Sequence, residues 1–274
     1  MRERGARIAV ACLLAAALAG PFVAPYDPLA SDAAARLTAP SLAHPFGTDQ
    51  LGRDVFSRVL AAAPLDLGLA LGAVALSIAV GAPLGAAIGF VGGRLERYAA
   101  RLVDALAAFP LFVLAMGIVA ALGASLASVA LATAAVNLPF YIRLARAEAS
   151  VLRQAGFVEA ARVGGSGEAR ILRRFILPAL APTLVAPAAV NCGWAMLNAA
   201  ALSFLGLGVK PPTPEWGVMV AEGAQYVLSG RWWIALFPGL ALTLATLAFG
   251  ASGDTLGARL GVRLGVRLGA RGAA

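Results

Sequence analysis

Hydrophobic residues in this chain collect into long runs with almost no charge, and short polar segments separate these runs. Six runs stand out, at positions 8–24, 67–91, 102–122, 126–142, 180–205 and 234–251. A helix of about 20 apolar residues is long enough to cross the hydrocarbon core of a bilayer. The pattern therefore predicts an all-α membrane protein with about six transmembrane helices.

The same pattern divides the chain into four parts. Residues 1–25 are predicted to form an N-terminal transmembrane helix, and residues 26–66 an extracytoplasmic loop. Residues 67–258 are predicted to contain the remaining spans, and residues 259–274 a basic cytoplasmic tail. A cleaved secretory signal peptide is an alternative for the first part, because basic residues precede its apolar run. Regularly spaced glycines in the tail favour a disordered or membrane-skimming segment.

Composition and charge support a membrane protein and suggest its orientation. Charged residues make up 13% of the chain, against about 25% in a typical soluble domain. The net charge is +8, but the basic residues lie at the ends of apolar runs, which does not favour nucleic-acid binding. Of these residues, 17 flank one side of the predicted spans and 5 flank the other. The positive-inside rule then predicts that both termini are cytoplasmic.

The longest charged segment, residues 159–178, separates the fourth and fifth apolar runs. It begins with good helix-forming residues, and glycines then interrupt the helix. Apolar residues recur near helical spacing after these glycines. This pattern predicts two short helices that are joined by a glycine elbow and lie on the cytoplasmic face of the membrane.

This segment resembles the EAA loop of the permeases of bacterial ATP-binding-cassette (ABC) importers. The positions that carry the resemblance are Glu159, Ala160, Ala161, Gly165, Leu177 and Pro178. Two further segments, 44–54 and 203–217, resemble signatures of the C-type permease subunit of dipeptide, oligopeptide and nickel transport systems. The alternative for residues 159–178 is an interfacial amphipathic helix that has no partner.

The resemblance implies a function, a location and a set of partners. The chain would be a permease in the bacterial inner membrane, with the EAA loop as the element that docks on the ATPase. Its partners would be a second homologous permease, two cytoplasmic ATPase subunits and an extracytoplasmic solute-binding protein. The cargo would be dipeptides or oligopeptides, and glutathione or a nickel chelate remain alternatives. The chain itself would not be an enzyme and would hold no cofactor.

The fifth apolar run contains two amides that are candidates for a translocation path. Asn191 and Asn198 are seven residues apart and therefore share one face of a helix. Amides within a bilayer must either find hydrogen-bond partners or line water. Interhelical bonding and a position on the path both remain open at this point.

Two expectations concern the second run. Small residues every four positions predict a groove in which another helix packs closely, and they are Ser77, Gly81, Gly85, Gly89 and Gly93. Thr48 or Asp49 is a candidate N-cap for the helix that leads into this run.

Two further expectations concern the third run. Pro110 is predicted to kink the helix. Asp104 lies near the basic end of the run, and it is predicted to pair with Arg97 or Arg101 rather than to relay protons.

Little in the sequence points to chemistry within the chain itself. No Gly-x-x-x-x-Gly-Lys-Ser/Thr segment occurs, so a P-loop for ATP is not expected. His44 is the only histidine, and a single histidine before proline is more typical of a structural residue than of a metal ligand. A secondary transporter driven by an ion gradient is the competing class, but no charged residue lies near the centre of a predicted span.

Overall fold

A computed structural model describes residues 2–271, in which turns and one longer irregular segment separate the helices. That segment, residues 24–54, contains a short 3₁₀ helix, Ala33–Ala35, and an isolated bridge between Thr48 and Asp54. The structure confirms the predicted all-α class. The helices are α1 (Arg2–Val23), α2 (Val55–Val91), α3 (Gly93–Ala107), α4 (Leu111–Leu122), α5 (Leu126–Leu152), α6 (Gly156–Val163), α7 (Glu168–Ile171), α8 (Leu177–Phe204), α9 (Trp216–Val227) and α10 (Trp233–Arg271). A π-helical turn, Leu172–Ile176, joins α7 to α8.

Four helical stretches of the described residues are long and apolar enough to cross a bilayer: Val55–Val91, Leu126–Leu152, Glu168–Phe204 and Trp233–Gly253. Helices α3 and α4 pass the same test only as a pair, and they meet at a bend of 84°. The third run therefore forms two helices rather than one kinked helix, because Pro110 begins a new helix instead of bending an existing one. By this measure the described residues contain four such spans, or five if the bent pair counts as one.

Helices α2 and α5 form the most extensively packed pair in the fold. A Cβ atom added to Gly85 or Gly89 would collide with the backbone of α5, and the Ser77 hydroxyl donates a 2.9 Å hydrogen bond to the Ala134 carbonyl there. These contacts confirm the predicted small-residue groove. Gly93 is not part of it, because it begins α3 and an added Cβ would meet nothing within 4 Å.

Helix α2 begins twelve residues before the predicted span 67–91, within the segment predicted to be a loop. Its N-cap is Asp54, whose carboxylate accepts a 2.7 Å hydrogen bond from the backbone N–H of Ser57. The expected cap at Thr48 or Asp49 was wrong. Asp49 instead accepts hydrogen bonds from the N–H groups of Leu51 and Arg53, so it shapes the turn before the helix.

In the tail, α10 continues as a helix to Arg271, which contradicts the disordered alternative, and the membrane-skimming alternative stays a prediction. Residues 259–271 are therefore helical rather than disordered. The final residues of the predicted tail, 272–274, lie outside the described part of the chain.

Candidate functional site

The glycine elbow predicted from the sequence has a defined backbone geometry. Helix α6 ends at Val163, and Gly165 follows with φ +75°, in the left-handed region that favours glycine. The N–H of Ser166 bonds to the Ala161 carbonyl, and the N–H of Gly165 bonds to the Arg162 carbonyl. These two bonds form a Schellman motif, which ends a helix and turns the chain sharply.

An ion pair spans this elbow. Arg162 on α6 donates two hydrogen bonds to the carboxylate of Glu168 on α7, of 2.8 and 3.1 Å. The hydrogen bond to Glu168 raises the pKa of the exposed Arg162 guanidinium above its ordinary value. The Arg162 guanidinium also lies 5.7 Å from the ring centroid of Phe90, near the end of α2. This pair therefore connects the two short helices, and the sequence pattern did not predict it.

The elbow segment, which we define as residues 156–178, has one buried face and one exposed face. Val158, Ile171 and Ile176 are completely buried, and they belong to the same hydrophobic core as Phe90 on α2 and Ala149 on α5. These apolar side chains hold the segment against the ends of the two central helices. The segment is therefore firmly supported while its outer face stays open.

The six positions of the predicted EAA loop lie in two places. Glu159, Ala160 and Gly165 are exposed on α6 and at the elbow, and Ala161 is partly buried beside them. Leu177 and Pro178 begin α8, with the leucine partly buried and the proline exposed. The structure thus brings the first four together at the elbow and places the last two at the entrance to a membrane span.

A second candidate site lies between α4, α5 and α8. A cavity of about 450 Å³ is lined by Asn191 and Asn198, the two predicted path residues, and also by Asn137 and Arg143 of α5. The Asn191 amide donates a 3.0 Å hydrogen bond to the hydroxyl of Tyr141, which links α8 to α5. We call this the amide cavity. Each of the two α8 residues was predicted, whereas Asn137 and Arg143 were not assigned to the site.

Comparison with known proteins gives a consistent result over most of the chain. Residues 81–266 match the family described as binding-protein-dependent transport system inner membrane component. A probable D,D-dipeptide transport system permease protein of Escherichia coli K12 is 42% identical over 247 residues, covering 90% of this chain and 83% of the relative.

The chain belongs to this family of inner membrane transport components.

Other relatives differ in the cargo that their names state. A nickel transport system permease protein of Escherichia coli K12 is 39% identical over 254 residues, covering 92% of this chain and 91% of the relative. A di/tripeptide transport system permease protein of Pseudomonas aeruginosa is 41% identical over 246 residues, covering 88% of this chain and 81% of the relative. The predicted kinship with peptide and nickel ABC permeases is confirmed.

Family membership also settles the class of protein. The chain is a transport subunit of an ABC importer and not itself an enzyme, as the sequence analysis predicted. It is a multi-pass inner membrane component. The ion-gradient-driven secondary transporter was therefore the wrong class.

A buried charge network includes Asp49 and Arg53 of the first C-type signature and extends beyond it to Arg58 and Glu222. Arg53 lies 2.6 Å from Asp49 and 3.1 Å from Glu222 of α9, measured between nitrogen and carboxylate oxygen. Arg58 lies 3.7 Å from Asp49 and 3.5 Å from Glu222. Both guanidinium side chains are only 1% exposed. We call these four residues the Arg53 cluster, and it fastens the start of α2 to α9.

The second C-type signature is joined to the same helix. The indole N–H of Trp216 donates a 3.0 Å hydrogen bond to the Val59 carbonyl, and its backbone N–H donates one of 3.1 Å to Asp66. Glu215 caps α9 by accepting hydrogen bonds from two backbone N–H groups. These hydrogen bonds fix the start of α9 against α2, next to the Arg53 cluster.

His44 has a structural contact, as expected. Its Nδ1 atom lies 2.9 Å from the carboxylate of Asp54, the N-cap of α2. Among the described residues, no group of three histidine, cysteine, aspartate or glutamate side chains is arranged to hold a metal ion. The contact instead fixes the turn that precedes α2.

Proposed function

We propose that this chain is the C-type permease subunit of an ABC importer of dipeptides or oligopeptides, in which the elbow segment transmits ATP hydrolysis to the spans. The elbow geometry carries this proposal. An exposed pair of short helices is supported on buried Val158, Ile171 and Ile176, so a force applied from the cytoplasm would reach α2 and α5 directly. Glu159, Ala160 and Gly165 form the part of this surface that meets the ATPase.

The proposed assembly contains a second homologous permease, two cytoplasmic ATPase subunits and an extracytoplasmic solute-binding protein. Relatives that are named as permeases of transport systems support such partners. The fold consists of six spans, because α1 contributes a 22-residue helix and the bent pair α3–α4 counts as one. Both termini and the elbow segment lie in the cytoplasm, as the bias of basic residues suggests.

Orientation is tested with a reporter enzyme that is active only outside the cytoplasm. A fusion after Gly165 is expected to be silent, and a fusion after Pro212 is expected to be active. The reverse pattern would contradict the proposed orientation. A control fusion after Arg36, in the segment between α1 and α2, should be active together with the Pro212 fusion.

The amide cavity supports a peptide as the cargo. Its polar lining consists of amides and one guanidinium, which suit peptide groups, and its aromatic lining includes Phe112, Phe140 and Trp194. In this proposal Asn191 and Asn198 face the translocation path. A nickel chelate is the second candidate, because a relative with 39% identity is named as a nickel transport permease.

Transport is tested by reconstituting the complete importer with its binding protein in vesicles. Dialanine uptake is expected to require ATP on the side of the vesicle membrane that carries the ATPase subunits. Uptake should stop when a non-hydrolysable analogue replaces the ATP. Uptake that follows an imposed ion gradient without ATP would overturn the proposed function. Uptake of a nickel chelate with no uptake of any peptide would instead support the second candidate.

A further inference from the structure

Among the described residues, Arg143 is a charged residue that lines the amide cavity and donates no hydrogen bond to the rest of the fold. Arg143 lies on α5, and the nearest carboxylate oxygen, on Asp104 of α3, is 3.8 Å away. Both side chains are about half exposed or more, at 48% and 64%. Within the described residues, the Arg143 guanidinium forms this long ion pair and no hydrogen bond. Its donors are therefore available to a ligand in the cavity.

The three amides leave hydrogen-bonding groups available as well. Asn137 and Asn198 each donate one hydrogen bond to a backbone carbonyl of their own helix, and Asn191 donates one to Tyr141. Within the described part of the chain these are the hydrogen bonds that the three amides form. An amide has two N–H donors and an oxygen acceptor. Each asparagine therefore keeps one N–H that can donate to a ligand carbonyl and an oxygen that can accept from a ligand N–H group.

The positions of Arg143 and the amides along their helices give the length of ligand that could contact all of them. Tyr141 and Asn191 are joined by a 3.0 Å hydrogen bond, so they lie at the same depth. From Arg143 to Asn137 is six residues of α5, or about 9 Å along the axis. An extended peptide spans at most about 3.5 Å per residue, so a tripeptide reaches the full distance between these two residues and a dipeptide reaches most of it.

From this geometry we propose that Arg143 binds the C-terminal carboxylate of a short peptide in the amide cavity, while Asn137, Asn191 and Asn198 bind its amide and amino groups. Arginine suits this role because its planar guanidinium can donate two parallel hydrogen bonds to a carboxylate. Asp104 is a weak enough partner at 3.8 Å to be displaced by the ligand. This inference rests on the proposed function, since it assigns the substrate class of the same permease.

Recognition of the peptide carboxylate can be measured by how far a bound peptide protects an introduced cysteine from a thiol reagent. Ala107 lines the cavity and carries no polar group, so Ala107→Cys places a thiol there without removing an amide. The chain's own thiols, Cys12 and Cys192, are replaced by alanine in the same protein. The importer complex is purified without the binding protein, so any selectivity belongs to the membrane subunits. Labelling by a water-soluble thiol reagent is then timed with dialanine or with dialanine C-terminal amide.

Dialanine is expected to slow the labelling, and its C-terminal amide is expected to protect only at a concentration about tenfold higher or more, because a charged hydrogen-bond pair is lost. Arg143→Gln should remove this difference between the two ligands. Arg146→Gln is the matched control, because Arg146 lies one turn further along α5, pairs with Glu96 at 3.9 Å and does not line this cavity. The Arg146 variant should keep the full difference.

Equal protection by the two ligands in the protein with Arg143 intact would overturn the inference, and so would the absence of protection by either. Neither result depends on how well the Arg143 variant folds. Uptake by the same preparation, with the binding protein added, separates this inference from the proposed function. ATP-dependent uptake with no preference for the carboxylate would remove only the role of Arg143, whereas no ATP-dependent uptake would remove the proposed function itself.

Discussion

The Arg53 cluster and the elbow segment are both rich in arginine and carboxylate, but they differ in how far these charges are exposed. Arg53 and Arg58 are 1% exposed and share the carboxylates of Asp49 and Glu222. On the elbow segment, Arg170, Arg173 and Arg174 are exposed, and the Arg162–Glu168 pair lies at the surface. The charges of the Arg53 cluster are buried and paired with one another inside the fold. The charges of the elbow segment are exposed and therefore available to a partner protein.

This difference in exposure suggests two different roles for charged residues in a hydrophobic chain, namely stabilising the fold and binding a partner. The Arg53 cluster ties the start of α2 to α9, so changing it should mainly lower the stability of the fold. The elbow segment should influence coupling to the ATPase with little effect on stability. Substitutions in the two regions therefore ought to produce opposite patterns of defects.

The largest effect is expected from Arg53→Leu. Removing this side chain leaves Asp49 buried without its 2.6 Å partner, and breaking a buried ion pair typically costs about 3–5 kcal/mol. The amount of protein in the membrane and the unfolding temperature of the purified complex should both fall. Arg173→Leu on the exposed face of the elbow segment is the control, and its stability should change by less than about 0.5 kcal/mol. Equal stability of the two variants would contradict the structural role of the cluster.

Gly165→Val should abolish transport without affecting membrane insertion. Gly165 has φ +75°, and a left-handed backbone costs a residue with a side chain about 1–2 kcal/mol, so the elbow should open. Uptake should fall to near background, and the ATPase subunits should dissociate during purification.

Gly167→Val is the matched control for this variant. Gly167 has φ −69°, and an added Cβ meets nothing within 4 Å, so valine fits the backbone there. Most of the uptake should remain. If Gly165→Val and Gly167→Val transported equally well, the left-handed elbow would not be needed for coupling.

A smaller effect is expected from Arg162→Glu. This change places two carboxylates across the elbow in place of the ion pair with hydrogen bonds of 2.8 and 3.1 Å. Because the pair is exposed, ATP-driven uptake should fall by no more than about fivefold. Adding Glu168→Arg restores opposite charges and should restore most of the uptake. A double variant that is as defective as the single one would show that the pair does not fix the elbow angle.

The smallest effect is expected from Glu159→Lys. Glu159 is exposed in the first turn of α6, where a negative charge is favourable near the helix N-terminus and can meet a basic residue on a partner. A single exposed ion pair contributes little, so uptake should fall by only about twofold, less than in Arg162→Glu. The ATPase retained after purification is the second measurement. If Glu159→Lys lost as much of the ATPase as Gly165→Val during purification, the prediction that Glu159 matters less than Gly165 would be wrong.

Local sequence signals predicted the elbow well but could not reveal the contacts between distant segments. Glycine after a short helix-forming stretch was enough to place a turn at Gly165, because few other residues adopt its backbone angle. The pairing of Arg53 with Glu222 joins positions 169 residues apart, and no spacing rule predicts such a contact. Asp104 illustrates the same limit, since its partner is Arg143 on α5 and not the predicted Arg97 or Arg101 on its own helix.

The candidate path was likewise predicted only in part. A shared helix face identified Asn191 and Asn198, because both lie on α8. Asn137 and Arg143 join them through the packing of α5 against α8, which hydropathy does not encode. The 84° break between α3 and α4 was foreseen only as a kink, since proline marks where a helix changes but not the direction of the chain beyond it.

Cross-linking to the ATPase subunits tests the central claim most directly. Ala160→Cys places a thiol on the exposed face of the elbow segment, and Leu42→Cys places one at a position that is 104% exposed in the segment between α1 and α2. Both changes are made in the chain without Cys12 and Cys192, and a short bifunctional thiol reagent is added to the assembled importer in membranes. We predict that Ala160→Cys cross-links to an ATPase subunit and that Leu42→Cys does not. Cross-linking of the ATPase from Leu42→Cys, or from neither position, would contradict the claim that the elbow segment is the coupling element.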